Sequence, residues 1–378
     1  MRFVDTFDYH RENPDFTLDE YVRSRRIELG ESLDSKEKIY LDTKYWIYFR
    51  DVILGRTDDD SLVNSYEVLS GLCDDGVAVC PISEDIFYEI TKQLDRNTLS
   101  ASITLIDKLS QGVSLLSQSE RMQAEILHFF HRYSYEAKDL YPLNSLVWTK
   151  ICYSIGTHFP YNTAFPPDDE LLIQKSFFDQ MWNTTLSELC ELIGYDVVNN
   201  VPRMPDLSHL LNEDAGIERE KNLRFKEVFI DEIYHLARYI EPMLDEAMEY
   251  MYTKETGNII SESEKQAAAR DKGLVNMVCN IFRLGKEGNN FPTLKVGAGV
   301  HAAVIMDKRR RFSPNDHYDF RHAQAALPYC DYFFTEKNLK HLLTLNSMAY
   351  DREYDCKIIS KQKDVLEALE DIKAKKDN

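Results

Sequence analysis

Ile39-Tyr40-Leu41-Asp42 runs straight into Thr43-Lys44-Tyr45-Trp46-Ile47-Tyr48-Phe49, and the fold is read from this stretch. The first four residues have the pattern of a buried strand that ends in an acid, and the next seven that of a helix's opening turns. In open α/β sheets the carboxyl ends of the strands are where chemistry is placed. A buried carboxylate without a partner is costly, and a divalent cation shared with other acids removes that cost. Asp is also a favoured helix N-cap, so Asp42 taken alone supports either reading.

Outward from this stretch, Val77-Ala78-Val79-Cys80 before Pro81 reads as a second buried strand. Ser83 is placed to cap the next helix, with Glu84 and Asp85 in its first turn, where the helix dipole favours negative charge. Ile86, Phe87 and Ile90 have helical spacing, and Glu89 lies among them. Ser61 is placed as the cap of an earlier helix running to Cys73. A helix over 99–109, a strand over 113–116 and a helix over 119–130 follow. Alternation of this kind predicts an α/β fold with a mostly parallel sheet. It stops from about 135 to 290, where no strand is expected. The clearest helical pattern there runs from Glu218 to Tyr252, and Pro242 should kink or end it. The alternation then returns: helix 319–327, strand 329–335, helix 339–345, strand 356–360 and helix 365–372. The expected organisation is an N-terminal extension (1–37, with a short helix near 18–27), a core in two halves (38–134 and 291–373), a helical insertion (135–290) and a tail (374–378).

The chain has 378 residues and a formal net charge of -19. A 43% hydrophobic content supports a full core. The acidity weighs against a surface that coats nucleic acid, but not against a local site that uses metal ions. Seven cysteines, an odd number with no CxxC pair, suggest neither a zinc cluster nor a disulfide framework. They read as small buried hydrophobes in a reducing compartment. With no signal-peptide pattern at the start and no stretch long enough to span a bilayer, the expected location is cytoplasmic, without membrane partners.

Acids recur where segments meet the same sheet edge: Asp42 after the first strand, Glu89 in the helix after the second, Asp319 near the start of a C-terminal helix, and Glu336 just past the strand that follows. Acids from separate segments can together hold one or two Mg²⁺ or Mn²⁺ ions, which favour oxygen ligands. Such ions activate water and offset the charge that develops on a phosphoryl group. That suits phosphodiester hydrolysis better than acyl transfer.

On these residues the chain resembles the PIN-domain family of metal-dependent ribonucleases. The resemblance rests on Tyr40-Leu41-Asp42-Thr43, on Cys80-Pro81-Ile82-Ser83 leading to Glu89-Ile90, and above all on the C-terminal stretch. There Asp316-His317-Tyr318-Asp319-Phe320-Arg321-His322-Ala323 is followed by Pro328-Tyr329-Cys330-Asp331-Tyr332-Phe333-Phe334-Thr335-Glu336. It implies a PIN-like, Rossmann-type three-layer α/β core, split here by a large all-helical insertion. It also implies Mg²⁺ or Mn²⁺ as cofactor, RNA such as tRNA or mRNA as substrate, and a setting as a toxin, a defence nuclease or an RNA-processing enzyme. Carried over residue by residue, Asp42, Glu89 and Asp319 are the metal-binding, catalytic acids and Glu336 is the fourth, with Asp331 or Asp316 as its substitutes. Thr335 or Thr43 would hold a ligand carboxylate in place.

Each acid also has a plainer reading. Asp316 and Asp319 have capping-box spacing, Thr335-Glu336 could start a helix, and a lone Glu on a helix is normally solvated. His322, one turn after Asp319, either touches the site or is a packed histidine; His301 and His317 read as surface residues. The basic run Lys308-Arg309-Arg310-Arg311, with Arg321 on the acid-bearing helix, is placed to hold substrate phosphates. Residues 301–378 carry 14 Lys and Arg against 13 Asp and Glu, so the acidity lies elsewhere. Tyr45, Trp46 and Tyr48 would stack on bases if exposed, although their spacing suits a core. A haloacid-dehalogenase-type phosphatase wants a second Asp two residues after the strand-ending one, and Lys44 stands there. The competing function is an inactive PIN-like scaffold whose acidic helical region binds a protein regulator or a second copy of the chain.

Overall fold

A computed structural model describes residues 3–133, 140–201, 204–261, 272–285 and 288–376. The fold is mixed α/β, mostly helical, around a small parallel sheet. Four strands lie in the order β2-β1-β5-β6: β1 Glu37–Leu41, β2 Ala78–Val79, β5 Tyr332–Phe334 and β6 Lys357–Ile359. All neighbours run parallel, with Ile39 opposite Tyr332 and Leu41 opposite Phe334. Ile39, Tyr40 and Leu41 are completely buried, as both-face coverage of a parallel sheet requires. Just past β2, Ile82 bridges in parallel to Ser114 of β3 (Val113–Leu115), so the sheet continues on that side. The chain thus builds outward from β1 in one direction through β2 and β3, and in the other through β5 and β6. The strand order reverses beside β1, and open sheets bind ligands in the crevice at such a point.

Several sequence expectations need correction. The region from 135 to 290 contains a strand, β4 (Trp148–Lys150), which pairs antiparallel with β3. Three residues, of which Trp148 and Thr149 are buried and Lys150 half-buried, carry too short a pattern to stand out among helices. The expected helix over 218–252 is three: Ser208–Glu220, Phe225–Tyr239 and Glu241–Thr256. Pro242 sits in the first turn of the last of these, where its missing N–H costs nothing. Asp59, not Ser61, caps the helix Asp60–Asp74. The extension forms helices Phe7–Glu12 and Leu18–Leu33, the second begun by a Thr17–Glu20 capping box. The tail begins inside the last helix, Gln362–Lys376, and residues 377–378 lie outside those described, as does the expected boundary at 134/135.

Extension and insertion are not loose appendages. His10 Nε2 meets Asp179 Oδ2 at 2.7 Å, and the Tyr21 hydroxyl donates to Asp179 Oδ1 at 2.7 Å. Phe178, Trp182, Leu186 and Cys190 share one apolar core with the sheet. A second core joins Ile233, Leu244, Val278 and Phe282 to the helices Gln118–Arg132 and Pro292–Met306. The helix Pro292–Met306 is apolar almost all round and contributes to both cores. All seven cysteines are free, and six of them are buried. Among the described residues no helix is long and apolar enough to cross a membrane.

A buried polar group pins this second core to the sheet side. Glu125 accepts from the Tyr329 hydroxyl at 2.6 Å and from the Thr293 hydroxyl and backbone N–H. Burial outweighs these bonds and pushes its carboxyl up to about 7. Between its ordinary value near 4.5 and about 7, the unfolded chain has released this proton while the folded chain keeps it. Stability therefore falls as pH rises through that window. Glu125→Gln should flatten this part of the pH profile in urea unfolding. An unchanged slope would mean that the carboxyl ionises freely in the folded chain.

Candidate active site

Asp42 follows β1 at the reversal of strand order. It is buried, and it caps the helix Thr43–Ile53, accepting from the Lys44 N–H at 3.3 Å. Its other carboxylate oxygen accepts from the Thr335 hydroxyl, which follows β5, at 2.8 Å. Its backbone N–H continues the β1–β5 ladder to the Phe334 carbonyl. Capping and site-building therefore coexist at this residue, and the second oxygen goes to the neighbouring strand rather than to the helix.

Glu89 lies near the end of the helix Glu84–Ile90. Its Oε2 accepts from the Thr43 hydroxyl at 2.5 Å and from His322 Nε2 at 2.8 Å. Burial pushes this carboxyl up, but the His322 bond and charge, then Thr43, outweigh it and hold Glu89 below its ordinary value. Burial pulls buried His322 down, but the Glu89 bond and charge raise it to about 9. As an imidazolium it donates twice, and the second bond runs from Nδ1 to the Tyr40 hydroxyl at 2.9 Å. Tyr40 then donates to Ser83 at 2.7 Å, and Ser83 points on to Asp85. Ser83 was expected to cap its helix; its hydroxyl instead serves this chain of bonds.

Asp319 is in the first turn of the helix Asp316–Ala326, one turn before His322. Burial, then the charge of Asp42, and further those of Glu336 and Glu89, push its carboxyl up to about 7 against the pull of His322. Its side chain accepts no hydrogen bond among the described residues. Glu336 is exposed at the start of the helix Lys337–Leu343 and makes no side-chain cap bond. Asp42, Glu89, Asp319 and Glu336, with Thr43, Thr335 and His322, thus converge on one edge of the sheet.

Other expected site residues are engaged elsewhere. Asp331 precedes β5, at the opposite end of the sheet, where it accepts from the Lys38 N–H at 2.7 Å and pairs with its ammonium. Asp316 braces the loop before its helix, accepting from the Ser313 N–H at 2.9 Å and pairing with Arg310 at 3.1 Å. Neither substitutes for Glu336. Arg321 does not face a substrate: its guanidinium is held by Glu84, Asp85 and Gln118. Of the basic run, Arg310 is tied to Asp316, while Arg309 and Arg311 are exposed. Tyr45 and Trp46 are core residues, and Tyr48 packs edge-on against Tyr45. His301 is half-buried rather than exposed: it packs against Phe312 and Phe320, and burial lowers it to about 4. His317 is half-buried against Met204.

Sequence reasoning missed Tyr40, Ser83 and Asp85. A hydroxyl within an otherwise apolar strand, two residues before the acid, is the signal that could have pointed to Tyr40.

The donor set is all oxygen, which fits Mg²⁺ or Mn²⁺ and not zinc-type sites. The acids approach without closing on one point: among the described residues no three His, Cys, Asp or Glu side chains are grouped tightly enough to form a ready-made metal centre. The neighbouring acids already push the Asp319 carboxyl up, and a bound cation would offset that repulsion and draw the group closer. Glu336, long, exposed and unbonded, has the freedom to turn inward. Searched against family models, curated proteins and solved structures, the chain finds no match.

Proposed function

We propose that this chain is a Mg²⁺- or Mn²⁺-dependent endoribonuclease with a PIN-like core. One observation carries the reading: Asp42 and Thr335, 293 residues apart, are hydrogen-bonded at the point where the strand order reverses, with Glu89 tied to adjacent Thr43. Asp42, Glu89, Asp319 and Glu336 would hold the ion, which when bound supplies charge stabilisation and an activated water. Thr335 fixes the orientation of Asp42; Thr43 and His322 fix that of Glu89. His322 also places a positive charge beneath the acids, so that they remain close before any ion arrives. Asp319, with its carboxyl at about 7, holds or takes up a proton near neutral pH.

The test is cleavage of single-stranded RNA by the purified protein with Mg²⁺ or Mn²⁺, together with melting in their presence. Mn²⁺ should raise the melting temperature. The rise should be larger at pH 8 than at pH 6, because Asp319 must release its proton to bind a cation. A protein that degrades no RNA, and whose melting Mn²⁺ leaves unmoved, would instead be a scaffold whose acidic helical region binds other proteins.

A further inference from the structure

Two lysines stand beside the acids and are paired with none of them. Lys44 follows Asp42 by two residues, and Lys92 follows Glu89 by three. In a chain with 64 acidic residues, neither forms an ion pair among the described residues. Each is laid over a tyrosine ring instead. The Lys44 ammonium is 5.6 Å from the centre of the Tyr48 ring, and the Lys92 ammonium is 3.8 Å from that of Tyr318, the residue before Asp319. A ring face steadies an ammonium without neutralising it, so both charges are kept for another anion. Lys92 is near enough to Glu89 to help lower that carboxyl.

We propose that Lys44 and Lys92 are a phosphate-binding pair that holds the RNA backbone on either side of the acids. This rests on the ribonuclease reading above. It also accounts for how a protein of net charge -19 receives a polyanion at an acidic edge. The long-range field repels the substrate, and two unneutralised cations at the site reverse that locally. Arg310 and Arg321, both bound to carboxylates, cannot do this.

The experiment compares wild type with Lys44→Met, Lys92→Met and the double variant. Methionine keeps the apolar stem on the ring and removes the charge. Binding of a short fluorescein-labelled oligouridylate in EDTA is followed by anisotropy over a range of salt concentrations. Each substitution should reduce the slope of log Kd against log salt by about 0.7, and the pair by about 1.4, as expected for single-strand phosphate contacts. Lys92→Arg should keep the wild-type slope, and melting temperatures should not move. In cleavage assays KM should rise while kcat stays nearly constant. If wild type cleaves RNA but the double variant keeps its slope, the pair is refuted and the nuclease reading stands. If the slope depends on the lysines but no metal supports cleavage, the pair stands as a binding site and the nuclease reading fails. A wild type that binds no oligouridylate overturns the pair.

Discussion

Asp42→Asn is expected to lower RNA cleavage about a thousandfold while leaving the fold intact. A bound divalent ion contributes several kcal/mol of transition-state charge stabilisation, and about 4 kcal/mol corresponds to three orders of magnitude in rate. The fold should survive because Asn caps helices about as well as Asp: its side-chain oxygen keeps the Lys44 N–H, and its amide N–H can donate to the Thr335 hydroxyl, which accepts as well as donates. Stability should therefore change by only about 1 kcal/mol. A second consequence separates charge from shape. Asp42 is the largest charge raising the Asp319 carboxyl, so in this variant Asp319 should titrate below about 7, readable by carboxyl NMR. Retained cleavage would remove Asp42 from the mechanism. A large loss of stability would mean that its structural role had been underestimated.

Arg321→Met should be the most destabilising change near the site, at about 3–5 kcal/mol in urea unfolding. The guanidinium is the cation between Glu84 and Asp85, and Asp85 is fully buried. Without it, two buried carboxylates lie side by side with only the more distant charges of Arg121 and His322 to offset them. Replacing them as well, by Glu84→Gln and Asp85→Asn, should restore part of the loss, because the cost lies in the orphaned charges. Activity should fall too, since this ionic knot joins the helix carrying Glu89 to the helix carrying Asp319. A residue that merely grips substrate would raise KM without touching stability, and that pattern would contradict the assignment.

The α/β alternation was legible because apolar runs and turn residues leave a local mark, and Asp42 and Glu336 because each sits at a strand–helix junction. Asp42, Glu89 and Asp319 could be placed near one edge from such marks, and Thr335 through the family resemblance. What was not legible depends on distant partners. Arg321 looked like a phosphate ligand because its spacing from Asp319 on the helix is visible, whereas Glu84 and Asp85 lie some 236 residues earlier. Asp331 looked like a spare ligand because 329–335 reads as one strand with Asp331 inside it; the strand begins at Tyr332, and Asp331 stands at its far end, bound to Lys38. β4 escaped because its pattern comes from an antiparallel partner, β3, that the chain left more than thirty residues before.

The place of β5 between β1 and β6 has a consequence for synthesis. Until residue 334 has left the ribosome, β1 has one unpaired edge, and Asp42 has neither Thr335 nor Asp319 beside it. At about 5–20 residues per second, the 293 residues between Asp42 and Thr335 take about 15–60 s to make. During that interval the nascent chain holds only Asp42 and Glu89 of the four acids at this edge. A split this wide works as a delay: on the ribonuclease reading a truncated chain that stops short of β5 should be harmless to RNA, and it should be prone to aggregate through the open edge of β1.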